Sequence, residues 1–169
     1  MNIFVLDSDP FKAADYHCDQ HVVKMILESA QLLSTEAYRA EAWDSGMYLP
    51  THTKHPCTVW LAYNPSAITW LHRMVVHLSN EYIRRFGKVH KSSEVAYNAF
   101  DALYKHYSMD ELALTRPVKF ALAMPEQFKT DDPVQSYRAY YQHKYDSWKL
   151  DTRKAMRYTN TEPPEWLKL

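Results

Sequence analysis

The chain has 169 residues, which is enough for one domain with its own hydrophobic core. Its 20 lysines and arginines are matched by 20 acidic residues, and this zero net charge argues against a protein that binds DNA through overall positive charge. Two glycines disfavour glycine-rich phosphate loops, and no apolar run reaches the ~18–20 residues of a membrane span. Without a recognisable signal peptide, we expect a cytoplasmic protein with no membrane partner and with Cys18 and Cys57 as free thiols.

Helical patterns account for most of the chain. Residues 2–6 form an apolar run that could be a short strand or an extended N-terminus packed against helices. Capping residues, prolines and apolar spacing then predict a short helix ending near Cys18 and a long one over residues 20–43. One or two turns are predicted over residues 57–63, followed by helices over residues 64–85, 92–107 and 133–148.

The connecting segments contain no domain boundary. Residues 44–56 and 114–129 are interrupted by proline or glycine, and a tail from residue 149 ends near Trp166. Neither a repeat nor a low-complexity linker is present. We therefore predict an all-α fold, with residues 1–169 forming a single compact domain of about five or six helices and at most one short strand.

Titratable side chains are concentrated in residues 14–25 and 51–56. His17 and His21 are four residues apart, which places them on one face of a continuous helix. With His52 and His55 they could form a four-histidine zinc site. The first histidine lacks the adjacent glutamate of a zinc-protease helix, and neither cysteine belongs to a Cys-x-x-Cys pair, so we expect hydrogen-bonding imidazoles, no metal and no cofactor.

Two residues of the first cluster are candidates for catalysis beside His21. Asp19 could act as a general base or stabilise an oxocarbenium ion, and it could equally cap the following helix. Lys24 lies between Val23 and Met25, where a desolvated amine would be nucleophilic, although a surface lysine fits the same position.

The last predicted helix interleaves cations with tyrosines. Arg138, Tyr141 and Lys144 are spaced by three residues and share a broad face. Such a face can contact phosphates and stack on a base. The alternative is that the tyrosines belong to the core and the cations are solvated.

Several motifs resemble a family of small bacteriophage proteins over nearly the whole chain. They lie at residues 14–25, 51–56 (Thr-His-x-x-His-Pro), 86–90, 123–125, 137–141 and 164–166. This resemblance implies a phage-encoded protein and no particular activity.

A more distant resemblance is to the pyrimidine-dimer DNA glycosylase superfamily. It rests on an ordered series of residues: Asp19, Lys24, Glu28 and Gln31; then His55, Pro56, Trp60, Glu81 and residues 84–87; then Met124, Pro125, Tyr137, Arg138 and Lys144. The resemblance implies a small all-α protein that distorts DNA and extrudes a nucleotide, with an N-terminal α-amine as nucleophile and one supporting carboxylate. By position, it implies that Asp19 is that carboxylate and that Arg138 and Lys144 contact phosphate.

The N-terminus departs from that pattern. The phage-type dimer glycosylases expose a threonine amine after methionine removal, whereas this chain begins Met1-Asn2. Methionine before asparagine is expected to be retained, so we expect that nucleophile to be missing or replaced. Lys24 or Lys144 could then supply the amine of a Schiff base.

We therefore expect a DNA N-glycosylase-like hydrolase acting on modified or damaged bases or on a nucleotide. Its catalytic residues would be Asp19, His21 and Lys24, and its substrate-binding residues would be His17, His52, His55, Arg138, Tyr141 and Lys144. One alternative is a non-catalytic protein that binds nucleic acid, a nucleotide or a host protein. Another is a metal-dependent hydrolase that uses the histidines.

Overall fold

Seven α-helices form the protein in a computed structural model that describes residues 1–115 and 117–169. They are α1 (Pro10–Asp15), α2 (Asp19–Arg39), α3 (Pro56–Tyr63), α4 (Pro65–Phe86), α5 (Lys91–His106), α6 (Met109–Leu112) and α7 (Pro133–Trp148). A 3₁₀ turn spans Glu126–Phe128, and the described residues contain no strand. The predicted all-α fold is confirmed.

Proline at the first helical position begins α1, α3, α4 and α7. Proline suits this position because the first backbone N–H groups of a helix have no partner within it. Asp9 caps α1 through its carboxylate, Asp132 caps α7 in the same way, and His55 caps α3 by accepting from the Cys57 N–H. The sequence signals at these starts therefore act through ordinary capping chemistry.

The long helix α2 lies at the centre of the core. It packs against α3, α4 and α5, while α1 packs against α4. The fully buried side chains of α2 include Ile26, Leu32 and Leu33. Burial of each such side chain contributes roughly 1.5–3 kcal/mol, so this helix is held in place by packing along most of its length.

One helix end and one whole helix differ from the predictions for a clear local reason. Helix α2 ends at Arg39 rather than near Trp43, because Glu41 adopts a left-handed backbone (φ 56°) and the Ala42 N–H bonds to the Ala37 carbonyl. Helix α6 was not predicted, since four residues are too few to show periodicity. Its capping box between Ser108 and Glu111 was the available signal.

Both ends of the chain pack onto the helices without regular structure. Residues 3–6 are buried in an irregular segment that turns at Phe4. Of the two predicted alternatives, the strand does not form, and the segment packs against the helices. The C-terminal tail crosses α7 and the start of α2. Within this tail, Trp166 packs against Tyr16 and Tyr141. Among the described residues, no helix is long and apolar enough to cross a membrane.

Candidate active site

The first residues of the chain are fixed over α2 by Asn2. Its side-chain oxygen accepts hydrogen bonds from the backbone N–H groups of Ile3 and Phe4, both at 2.8 Å. Its amide nitrogen donates to the Ala123 carbonyl at 2.7 Å. Phe4 takes a positive φ of 35°, an uncommon backbone conformation for a bulky residue, which marks a strained and well-determined turn. The amine end of Met1 is thereby directed at α2.

The N-terminal residues contact the carboxylate of Glu28 on α2. It is only 7 % exposed, and its Oε2 accepts the backbone N–H of Asn2 at 2.7 Å. Its Oε1 lies 3.5 Å from the Lys24 ammonium and 4.0 Å from the Met1 amine. One nearly buried carboxylate therefore holds two amines, an arrangement that can organise an attacking nitrogen and exchange its protons.

A cavity of about 230 Å³ opens beside this carboxylate, and we call it the Glu28 pocket. Residues from the N-terminal segment, α2 and α7 line it: Met1, Asn2, Phe4, Gln20, His21, Lys24, Met25, Glu28, Tyr140, Lys144 and Trp148. The Phe4 and Tyr140 rings are nearly parallel, with centroids 6.0 Å apart. Flat apolar surface beside amines suits a nucleobase or sugar better than an inorganic ion.

Lys144 is held at this pocket by aromatic faces. Its ammonium lies 4.8 Å from the Tyr140 ring centroid, 4.9 Å from Trp148 and 5.8 Å from Phe4. A cation over aromatic rings is attracted to their negative faces while keeping its donors free. Lys144 is therefore placed to contact a phosphate or an anionic leaving group.

Two imidazoles near the amines are neutral at pH 7. Burial lowers the pKa of His21 well below its usual value, and the positive charges of Lys144 and Lys24 act in the same direction. Burial also lowers the pKa of His55, as does the positive charge of the Met1 amine. His55 accepts the Cys57 N–H through Nδ1, which fits a neutral ring. Both rings therefore stay uncharged beside the amines, and burial disfavours their protonation.

Asp19 has a different environment from the one expected for a catalytic base. Its carboxylate accepts from the buried Arg85 guanidinium at 3.1 Å and from the Thr159 hydroxyl at 2.7 Å. It is the first residue of α2 rather than its cap, and its own N–H donates to the Arg157 carbonyl. These contacts anchor the C-terminal tail to the start of α2.

Arg138 and Tyr141 also hold the fold together. The Arg138 guanidinium donates to the Leu6 carbonyl at 2.8 Å and lies 5.1 Å from the Trp166 ring centroid. The fully buried Tyr141 accepts the Cys18 N–H through its hydroxyl at 2.8 Å. Neither residue lines the Glu28 pocket.

His17 and His52 lie in contrasting positions. His17 is fully buried, donates from Nδ1 to the Ala13 carbonyl at 2.6 Å, and leaves Nε2 without a partner among the described residues. Burial lowers the pKa of His17 to about 4. His52 is exposed at the surface with a positive φ of 50°, and its Nδ1 lies 2.7 Å from the Thr51 hydroxyl.

The four histidines do not gather as a metal site within the part of the chain that is described. The one group of potential ligand atoms found there within 4.8 Å of one another belongs to Asp15, His77 and Glu81. The Glu81 carboxylate is already bonded to Arg84 and Arg85, whose positive charges oppose a cation. This cluster is explained by its internal ion pairs.

Of the expected site residues, the pocket brings together His21, Lys24 and Lys144, with His55 close by. The sequence reasoning did not assign a site role to Met1, Asn2, Phe4, Glu28, Tyr140 or Trp148. Glu28 carried a usable signal, because it follows Lys24 by four residues and interrupts the apolar pattern of a buried helix.

Comparisons of the chain with protein-family models, curated proteins and solved structures find no match.

Proposed function

We propose that the protein is a DNA N-glycosylase that uses an amine of the Glu28 pocket to attack C1′ of a modified or damaged nucleotide. This proposal rests on one observation. The amines of Met1 and Lys24 both lie within 4.0 Å of the nearly buried Glu28 carboxylate. Together with the resemblance described above, this arrangement favours a phage-encoded enzyme that acts in the host cytoplasm.

The chemistry balances with the groups present. A neutral amine donates its lone pair to C1′, the glycosidic C–N bond breaks, and the base leaves with that electron pair and takes up a proton. Opening of the sugar ring leaves an iminium ion at C1′ and a hydroxyl at C4′. Glu28 takes a first proton from the ammonium form of the amine and passes it to the leaving base. After the attack it takes a second proton from the adduct nitrogen and passes it to the ring oxygen, so that the iminium ion keeps the last N–H.

The attacking amine in this scheme is that of Lys24 or of Met1, since both lie at the Glu28 carboxylate. Lys24 is 64 % exposed and shares the same carboxylate, so it can also reach a sugar in the pocket. In this scheme Lys144 binds a phosphate, and the partly exposed Tyr140 ring packs against a base.

Borohydride trapping tests the proposal. The protein is incubated with single-stranded or duplex DNA carrying an abasic site or a panel of modified bases, then reduced, and the adduct is located by peptide mapping. We expect a covalent adduct on the Met1 or Lys24 peptide. Lys24→Gln and a Gly-Ser extension before Met1 distinguish the two amines, and Lys88→Gln, at an exposed position, is the matched control.

The outcomes separate the alternatives. An adduct spread over surface lysines, or none with any substrate, would contradict the proposal. Tight DNA binding without an adduct or base release would favour the non-catalytic binding protein instead.

A further inference from the structure

A second and larger cavity lies beyond the Glu28 pocket, between the C-terminal half of α2, the loop that follows it, and α3. Its volume is about 780 Å³, within the range of pockets that hold a small organic ligand. We call it the α2–α3 pocket. Its walls include Glu36, Tyr38, Arg39, Glu41, Trp43 and Tyr63.

The walls of this pocket suit a flat, uncharged ring. Tyr63 is 81 % exposed and Tyr38 is 54 % exposed, and the Tyr38 ring packs edge-on against Trp43. Aromatic side chains left open to solvent around a cavity offer stacking surface to a heterocycle.

The charges in the same walls are already paired. The Glu36 carboxylate is fully buried and accepts from Arg39 Nε at 2.9 Å and from the Tyr107 hydroxyl at 2.6 Å. Glu41 adds a second negative charge at the rim, so a phosphate group is disfavoured inside. The chemistry therefore selects a neutral nucleobase over an anion.

The two pockets lie along one face of α2. Lys24, Glu28, Thr35 and Arg39 follow one another at spacings of four, seven and four residues, which keeps them on a common stripe. At about 1.5 Å of rise per residue, Thr35 and Arg39 lie roughly 10 Å and 17 Å along the helix axis from Glu28.

The loop over residues 51–55 borders the α2–α3 pocket, and its last residue, His55, lies within electrostatic reach of the Met1 amine. The Thr51 N–H donates to the Thr35 hydroxyl at 3.1 Å, and Thr53 lines the α2–α3 pocket. Burial and the positive charge of the Met1 amine lower the pKa of His55. Exposed His52 lies between Thr51 and Thr53 in the sequence. A DNA strand bound at the Glu28 pocket can therefore run along this loop to the α2–α3 pocket.

We propose that the α2–α3 pocket binds a second nucleobase of the same DNA strand. At about 3.4 Å per stacked nucleotide, the separation corresponds to roughly three to five nucleotides from the reacting position. The inference rests on the proposed function of the Glu28 pocket and makes the substrate a polynucleotide strand rather than a free nucleotide.

Equilibrium binding to single-stranded oligonucleotides tests this inference. One stable tetrahydrofuran abasic analogue is fixed at the reacting position, and a second replaces one neighbouring base at a time. For the wild-type protein we expect affinity to fall by roughly 5- to 100-fold when the base three to five positions away is removed, as fluorescence anisotropy would show. Tyr63→Ala and Tyr38→Ala should abolish that position dependence, whereas Tyr104→Ala, at a similarly exposed tyrosine of α5, should preserve it.

A flat profile for the wild-type protein, or one that both pocket variants retain, would overturn the second base site. Borohydride trapping reports separately on the Glu28 pocket, because it needs the reactive sugar and not the distant base. A flat binding profile with intact trapping would remove only the second site, while position-dependent binding without trapping would remove only the glycosylase chemistry.

Discussion

Glu28 differs from the other two carboxylates of α2 in the partners that surround it. Asp19 is paired with Arg85, and Glu36 is paired with Arg39, so each meets a guanidinium that stays protonated. Glu28 instead meets amines from Met1 and Lys24, which can lose a proton and attack carbon. This difference in partners is the reason that we place the chemistry at Glu28 and assign Asp19 to the anchoring of the tail.

Acidification is expected to destabilise the fold through His17. Burial lowers the pKa of His17 from 6.5 to about 4, so the unfolded chain binds the extra proton more readily than the folded one. Stability contributed by the neutral ring is fully present above pH 6.5 and is lost as the pH falls from 6.5 to about 4. The shift corresponds to roughly 3 kcal/mol at its full extent.

Urea unfolding at pH 7 and pH 4.5 measures this effect. His17→Asn keeps a donor for the Ala13 carbonyl but cannot titrate, so its free energy of unfolding should change less between the two pH values than that of the wild type. An equal change in the two proteins would show that other groups govern the acid sensitivity.

At the level of elements, Arg85 ties α4 to α1 and α2. Its side chain is fully buried and donates to the Glu81 carboxylate at 3.0 Å, to Asp19 at 3.1 Å and to the His17 carbonyl at 2.8 Å. Through Asp19 it also supports the tail at Thr159. Two carboxylates therefore depend on one buried cation.

We expect Arg85→Met to cost about 3–5 kcal/mol in the free energy of unfolding, because it leaves Asp19 and Glu81 without their buried partner. The neighbouring Arg84 also pairs with Glu81 but is 46 % exposed, so Arg84→Met should cost about 1 kcal/mol or less. Chemical denaturation of both variants gives the comparison. Similar losses for the two would mean that the buried network contributes little.

For the whole molecule, the sequence was sufficient for the fold class because caps and apolar spacing are local signals. Pro10, Pro65 and Pro133 begin helices where their patterns predict, and Pro56, which was expected to end a loop, begins α3. The Glu28 pocket depends instead on packing between segments far apart in the chain, where Asn2 meets Ala123 and α2 meets α7. The periodicity of apolar residues indicates which face of a helix is buried, but it does not indicate which segment packs against that face. Lys24, His21 and Lys144 could therefore be proposed from their chemistry, whereas Glu28 offered only the signal of an acidic residue four positions after Lys24 in an apolar helix.

The most direct test of the account compares Glu28→Gln with the wild type in borohydride trapping on abasic DNA. Loss of the carboxylate should lower the trapping rate by roughly 100-fold or more, because it removes the group that exchanges protons with the amine. Binding to the tetrahydrofuran analogue should persist, and Glu126→Gln, whose side chain is 86 % exposed, should behave as the wild type. Unchanged trapping by Glu28→Gln would contradict the central claim.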